Sequence, residues 1–174
     1  MSADSSLTSD ISSVRSEVAT VKTDVAALRR DLTALREEFG AKITAMENGM
    51  KFAFPVTFAF DDATVRDEDR AGLDRFAQVV NKYYGGTLLT IEGFADPAGG
   101  TAYNVDLSKR RADAVAAYLS QAGLGSVTIK TIGYGETRQV NPNAERDDPG
   151  AQANRRVVFV IETAAGGAIT TSAQ

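Results

Sequence analysis

Gly93-Phe94-Ala95-Asp96-Pro97-Ala98-Gly99-Gly100-Thr101-Ala102-Tyr103-Asn104 joins two runs of different character. Before it, Leu88-Leu89-Thr90-Ile91-Glu92 is short, apolar and partly β-branched, as a buried strand is. After it, Asn104 to Ser120 repeats apolar residues at helical spacing, with Leu107, Ala114, Val115, Tyr118 and Leu119 on the inward face. The joint is therefore a glycine-rich turn from strand to helix. Its glycines permit sharp turns and let a ligand approach the backbone closely. Asp96 lies in the turn, Asn104 stands near the helix start where it can serve as a cap, and Arg111 follows one turn past Leu107-Ser108.

Working outward, Val56-Thr57-Phe58-Ala59-Phe60 alternates and reads as a strand, closed by a turn at Asp61-Asp62. Leu73, Phe76, Val79 and Val80 share one face of a helix that Gly85-Gly86 stops. Val127 to Ile132 predicts a third strand, Gly133 to Ala153 a long polar loop, and Arg155 to Glu162 a last strand. The order β-α-β-α-β-β predicts an α+β domain of two layers, with helices on one face of a mixed sheet. Residues 164–174 are rich in Gly, Ala, Thr and Ser and read as a flexible tail.

The N-terminal quarter follows a different rule. Ile11, Val18, Val25, Leu32 and Phe39 occupy position a of a heptad, and Leu7, Val14, Val21, Leu28 and Leu35 occupy position d. Position g is acidic throughout (Asp10, Glu17, Asp24, Asp31, Glu38), and position e is basic from Arg15 onward (Arg15, Lys22, Arg29, Arg36). In a parallel coiled coil each g residue faces an e residue of the neighbouring chain, which pairs opposite charges. In an antiparallel homo-oligomer like would face like. The pattern predicts a parallel homo-oligomer, and β-branched Val at d favours a trimer over a dimer. Beyond Phe39, Ile43, Met46 and Met50 continue the spacing through a stutter, so the helix is expected to end only at Asn48-Gly49. The expected domains are a coiled-coil helix over 1–50, a globular domain over 51–163 and the tail. The alternative is an amphipathic helix folded back on its own domain.

Composition narrows the function. The chain has neither Cys nor His, which removes thiol nucleophiles, disulfides, His-based acid–base catalysis and zinc sites of the usual type. A net charge of −4 lacks the footprint of a nucleic-acid binder. No apolar stretch is long enough for a membrane helix, so membrane association would need an anchor or a β-barrel preceding Met1. Asp61-Asp62 and Asp147-Asp148 lack the ligand spacing of a calcium loop and read as surface turns.

Four motifs in order, Gly93-Phe94-Ala95-Asp96-x-x-Gly99, Asn104-x-x-Leu107-Ser108-x-x-Arg111-Ala112, Gly133-Tyr134-Gly135-Glu136 and Asn154-Arg155-Arg156-Val157, resemble the OmpA-like peptidoglycan-binding domain, over about residues 52–163. The resemblance implies a non-enzymatic module without cofactor that binds diaminopimelate in the peptidoglycan stem peptide. It implies a place in the periplasm, in association with the outer membrane, as in the lipoproteins of that family. By the resemblance, Asp96 takes the ammonium of the zwitterion and Arg111 its carboxylate, a division that carboxylate and guanidinium chemistry also requires. Arg155 supports the acidic end, Asn104 fixes the loop, Leu107 belongs to the same motif, and the backbone amides near Phe94 and Ala95 add hydrogen bonds. Many members carry His where this chain has Phe94, whose side chain neither donates nor accepts. Arg155 and Arg156 alternate along a strand, so only one can face the site. Two other functions compete: a coiled-coil scaffold whose head has lost its ligand, and a hydrolase of cell-wall polymer, for which no pair of carboxylates on a common cleft is evident.

Overall fold

The computed structural model describes residues 2–162, with side chains from residue 6. The expected flexible tail over 164–174 lies outside the described residues. Helix α1 (Ser2–Phe39) is followed by strands β1 (Lys42–Met46) and β2 (Gly49–Ala53), helix α2 (Asp67–Tyr83), strand β3 (Leu88–Gly93), helix α3 (Thr101–Gln121), strand β4 (Thr128–Gly133), a short helix α4 (Ala151–Asn154) and strand β5 (Val157–Glu162). The five strands form one mixed sheet in the order β1-β2-β5-β3-β4. β3 and β4 run parallel, joined by the α3 crossover, and every other neighbouring pair is antiparallel. The predicted α+β architecture is present, with α2 and α3 on one face.

Two sequence expectations are corrected. The first helix stops at Phe39, not near Asn48: Gly40 takes a left-handed φ of +66°, the usual way for a glycine to end a helix. Residues 42–53 then form a hairpin in which Met46 pairs with Gly49. The second correction concerns residues 56–60, where only Thr57 makes a ladder contact, a bridge to Arg156. Val56 and Phe58 are buried as the alternation predicts. The carbonyls of Phe58 and Ala59, however, accept hydrogen bonds from Arg155 Nε (2.9 Å) and Arg111 Nη2 (3.1 Å). Arginine side chains thus satisfy backbone groups that a neighbouring strand would otherwise take.

The core lies between the sheet and the helices. Phe76 of α2 is its centre, with ring centroids 5.3 Å from Phe52, 5.3 Å from Phe54 and 4.6 Å from Phe159. Leu73, Leu89, Ile91, Val115 and Leu119 complete it.

α1 divides into two parts. Leu28, Leu32, Leu35 and Phe39 pack against the core, and Leu35 is fully buried. Asp31 accepts hydrogen bonds from Arg75 Nη2 (2.6 Å) and the Tyr83 hydroxyl (2.7 Å) of α2, with Lys82 Nζ at 3.5 Å. Burial opposes the Asp31 charge, but these three partners outweigh it and hold its pKa below the usual value. The expected pairing of Asp31 with Arg36 of a neighbouring chain is therefore replaced by bonds within the chain. Upstream, Leu7, Ile11, Val14, Val18, Val21 and Val25 are all exposed. The last third of the heptad run is thus folded back on the domain, and the first part is not.

Candidate functional site

Three small residues bring α3 down onto the ends of β3 and β4. A β-carbon on Gly93 would fall 1.9 Å from the Ser108 carbonyl oxygen, and one on Gly133 would fall 2.5 Å from both Lys109 N and the Val105 carbonyl oxygen. Only glycine permits that approach. Ser108, fully buried, donates from Oγ to the Val105 carbonyl (2.8 Å) and accepts from the Gly135 amide (2.9 Å). Gly93 thus serves helix–strand packing, and its lack of a side chain is used by α3 and not by a ligand.

This packing leaves a cavity of about 140 Å³ beside the first turns of α3. Asp96, Ala98, Gly99, Tyr103, Asn104, Leu107, Arg111 and Arg155 line it, and Phe60, Asp61 and Arg146 complete the rim. Asp96 is 3% exposed, Asn104 1%, Arg111 0% and Arg155 8%, so the polar floor is almost wholly desolvated, while Tyr103, Asp61 and Arg146 are exposed at the mouth.

Arg111 forms the floor. Its Nε donates to the Asp62 carbonyl (2.8 Å), Nη1 to the Phe94 carbonyl (3.1 Å) and Nη2 to the Ala59 carbonyl. A guanidinium has five N–H donors, so one remains on each terminal nitrogen. Its plane also lies 5.2 Å from the Phe58 ring centroid. Burial first, and the neighbouring Arg155 cation second, pull its pKa down to about 10, against the pull of Asp96, Asp62 and Asp61. It is still a cation at neutral pH.

Asp96 and Arg155 form a buried ion pair. Arg155 Nη1 donates to Asp96 Oδ2 (2.8 Å) and to the Arg146 carbonyl (2.9 Å). Asp96 Oδ1 accepts from the Ala98 amide at 3.1 Å, a two-residue turn of the kind Asp favours. An ionised carboxylate has about four acceptor positions, so capacity remains on both oxygens.

Asp96, Asn104, Leu107, Arg111 and Arg155 of the predicted set are therefore brought together. Asn104 is not the helix cap: Gly100 holds that position, and Asn104 lies one turn in, its amide donating to the Gly100 carbonyl at 3.0 Å. Among the described residues its Nδ2 is buried without a hydrogen-bond partner. The Asn104 amide is near Glu136 but outside hydrogen-bond geometry; it adds weakly to the Thr101 hydroxyl bond (2.6 Å) that chiefly lowers the Glu136 pKa.

Phe94 and Ala95 do not line the cavity. The Phe94 amide donates to the Arg156 carbonyl (2.9 Å) and the Ala95 amide to the Gly135 carbonyl (2.8 Å), so neither is free for a ligand. The Phe94 ring packs with Val158 and Val160 on the far face of the sheet, stacked on Tyr134 at 5.5 Å with Arg156 at 4.1 Å. Arg155 and Arg156 do reach opposite sides of the sheet, but Arg155 caps α4 ahead of β5, which starts at Val157 and not at the expected Arg155. Phe60, Tyr103 and Arg146 carry no sequence mark of a site, and Asp61 reads in the sequence as a surface turn. Tyr103 stood in the diagnostic loop and Phe60-Asp61 at a turn, whereas Arg146 lies in a polar loop with no distinguishing pattern.

Residues 57–155, over half of the chain, match the model of the OmpA family. The chain belongs to the OmpA family. Among OmpA-family relatives, the peptidoglycan-associated lipoprotein of Legionella pneumophila is 35% identical over 60% of this chain and 58% of its own length. Outer membrane porin F of Pseudomonas aeruginosa is 35% identical over 72% of this chain and 37% of its own. The photosystem I P700 chlorophyll a apoprotein A2 of Gloeobacter violaceus is 37% identical over 72% of this chain but only 15% of that protein. The chain thus spans less than two thirds of these curated relatives, and what is shared is a module. The crystal structure of the peptidoglycan-associated lipoprotein from Burkholderia pseudomallei superposes with a TM-score of 0.54 at 31% identity, covering 62% of this chain and 88% of that one.

Proposed function

We propose that this OmpA-family chain is a non-enzymatic anchor that grips peptidoglycan through the free amino-acid end of diaminopimelate in the stem peptide. One observation carries the reading. A single desolvated cavity holds a carboxylate with spare acceptor positions and a guanidinium with two spare donors. An ammonium fits the first and a carboxylate the second, as a forked pair. Desolvation strengthens both contacts. Relatives named for peptidoglycan association and for the outer membrane support a place in the periplasm, with the outer membrane as the structure it tethers. Among the described residues no helix is long and apolar enough to cross a membrane.

Self-association belongs to the same proposal, with a shorter seam than the heptads suggest. Since Leu28, Leu32, Leu35 and Phe39 pack on the domain, the seam for a parallel oligomer is Leu7 to Val25. Six exposed apolar residues on one stripe of α1 favour a partner. The remaining g–e pairs are Asp10–Arg15, Glu17–Lys22 and Asp24–Arg29. β-branched residues at every a position and at two of three d positions favour three strands. Parallel heads at one end would let weak contacts act together.

Cosedimentation with purified sacculi tests the proposal. Wild-type chain is expected in the pellet, and Asp96→Asn in the supernatant. Equal retention of both would reject the reading.

A further inference from the structure

The cavity lining is not electrically balanced: Arg111, Arg146 and Arg155 stand against Asp61 and Asp96, three guanidiniums to two carboxylates. A zwitterion adds no net charge, so it leaves one cation over. Arg111 is committed to three carbonyls and Arg155 to Asp96, the Phe58 carbonyl and the Arg146 carbonyl. Asp61 at the rim accepts from the Tyr103 hydroxyl.

Arg146 is the uncommitted one. Among the described residues its guanidinium has neither a carboxylate nor a carbonyl partner; it rests 5.8 Å from the Phe60 ring centroid, exposed at the mouth. Asp148, two residues on, is turned into the loop, accepting from the Glu145 amide at 3.1 Å. The Arg146 backbone holds a left-handed φ of +51°, a conformation that costs a residue with a β-carbon. Its carbonyl, meanwhile, takes an N–H of Arg155 at 2.9 Å, which pins this turn to the binding pair itself.

We infer that Arg146 is a specificity residue that reads a second carboxylate on the ligand, beyond the zwitterion in the pocket. This rests on the diaminopimelate reading of the site. The favoured ligand is then a stem peptide in which the diaminopimelate carboxyl beside the peptide bond is free, not amidated. The zwitterionic end enters the cavity, the acylated end remains at the mouth, and its carboxylate meets Arg146 over Phe60.

Two small probes separate these layers in calorimetric titrations of the full chain. One is diaminopimelate acetylated on a single amine, which keeps two carboxylates. The other is the same molecule with the carboxyl beside the acetamide converted to a primary amide. Wild type is expected to bind the dicarboxylate about fivefold more tightly, near the upper range for a partly exposed ion pair. Arg146→Gln is expected to bind both probes equally, and Arg146→Lys to keep most of the preference. Raising salt should narrow the wild-type preference. A preference retained in Arg146→Gln, or absent from wild type while both probes bind, overturns this inference alone. Failure of both probes to bind wild type overturns the pocket reading and this inference with it.

Discussion

Replacing Asp96 by Asn removes one negative charge and almost nothing else. The side chain keeps its shape, and its oxygen can still accept from the Ala98 amide. What changes is the balance on the pocket floor. Asp96 and Arg155 are 5% and 9% exposed at their side chains, with 2.8 Å between them, and the Arg111 cation lies within electrostatic reach of both. Without the carboxylate, both buried guanidiniums keep only neutral hydrogen-bond partners, with Asp61 and Asp62 acting on Arg111 through the field alone. Removing one member of a buried pair costs about 3–5 kcal/mol, because the other charge stays desolvated. For a chain of this size each kcal/mol moves Tm by roughly 2–4 °C, so the expected loss is roughly 6–20 °C. Scanning calorimetry reads it directly. A second variant sharpens the result: adding Arg155→Gln to Asp96→Asn removes the stranded cation and should restore part of the loss. The two changes should therefore be strongly non-additive. The single variant should also gain stability from added phosphate, since two facing guanidiniums form an anion site. A Tm for Asp96→Asn within about 2 °C of wild type, or simple additivity in the double variant, would refute a desolvated pair.

Three further outcomes follow from other parts of the fold. Leu35→Ala, at a fully buried position of α1, should destabilise the domain by about 2–5 kcal/mol, whereas Val14→Asp should leave the domain transition in place and abolish self-association in light scattering. Gly93→Ala should unfold or severely destabilise the domain, because the added carbon would lie 1.9 Å from the Ser108 carbonyl oxygen of α3; a folded variant of near-native Tm would contradict the close packing. Asp31, with its pKa depressed in the folded chain, should stabilise the docking of α1 fully above its unfolded value of about 3.8. That contribution is lost as pH falls through the lower folded value, so Asp31→Asn should flatten the acid limb of the stability curve.

The sequence carried the site better than it carried the edge of the sheet. Asp96, Arg111 and Arg155 were legible through the resemblance of four motifs to the OmpA-like domain; taken alone, Asp96 before Pro97 reads as a turn residue and Arg111 as an exposed helix arginine. Alternation said that only one of Arg155 and Arg156 reaches the site, and the resemblance picked Arg155. The hairpin over 42–53 was missed because Ile43, Met46 and Met50 keep a helical spacing, which outweighed two local signals: Gly40, and Asn48-Gly49, a dipeptide that favours a hairpin turn as readily as a helix end. Residues 56–60 alternate like a strand since their side chains do enter the core. Beyond a single bridge to Arg156, the carbonyls of Phe58 and Ala59 bond arginine side chains distant in sequence, which no local pattern announces. Heptad spacing likewise cannot tell whether a and d residues meet another chain or the same one; at Leu28 to Phe39 they meet the chain's own α2 and core.

The most direct test of the pocket is a side-chain NMR titration of the full chain with meso-diaminopimelate, observing the guanidinium N–H groups of Arg111 and Arg155 and the Asn104 amide. Saturable one-to-one shifts at Arg111 and Arg155, with the Asn104 amide protons moving as their buried donor finds an acceptor, are the predicted result. Unmoved signals at roughly 10 mM ligand, enough to fill a site of even millimolar affinity, would contradict it.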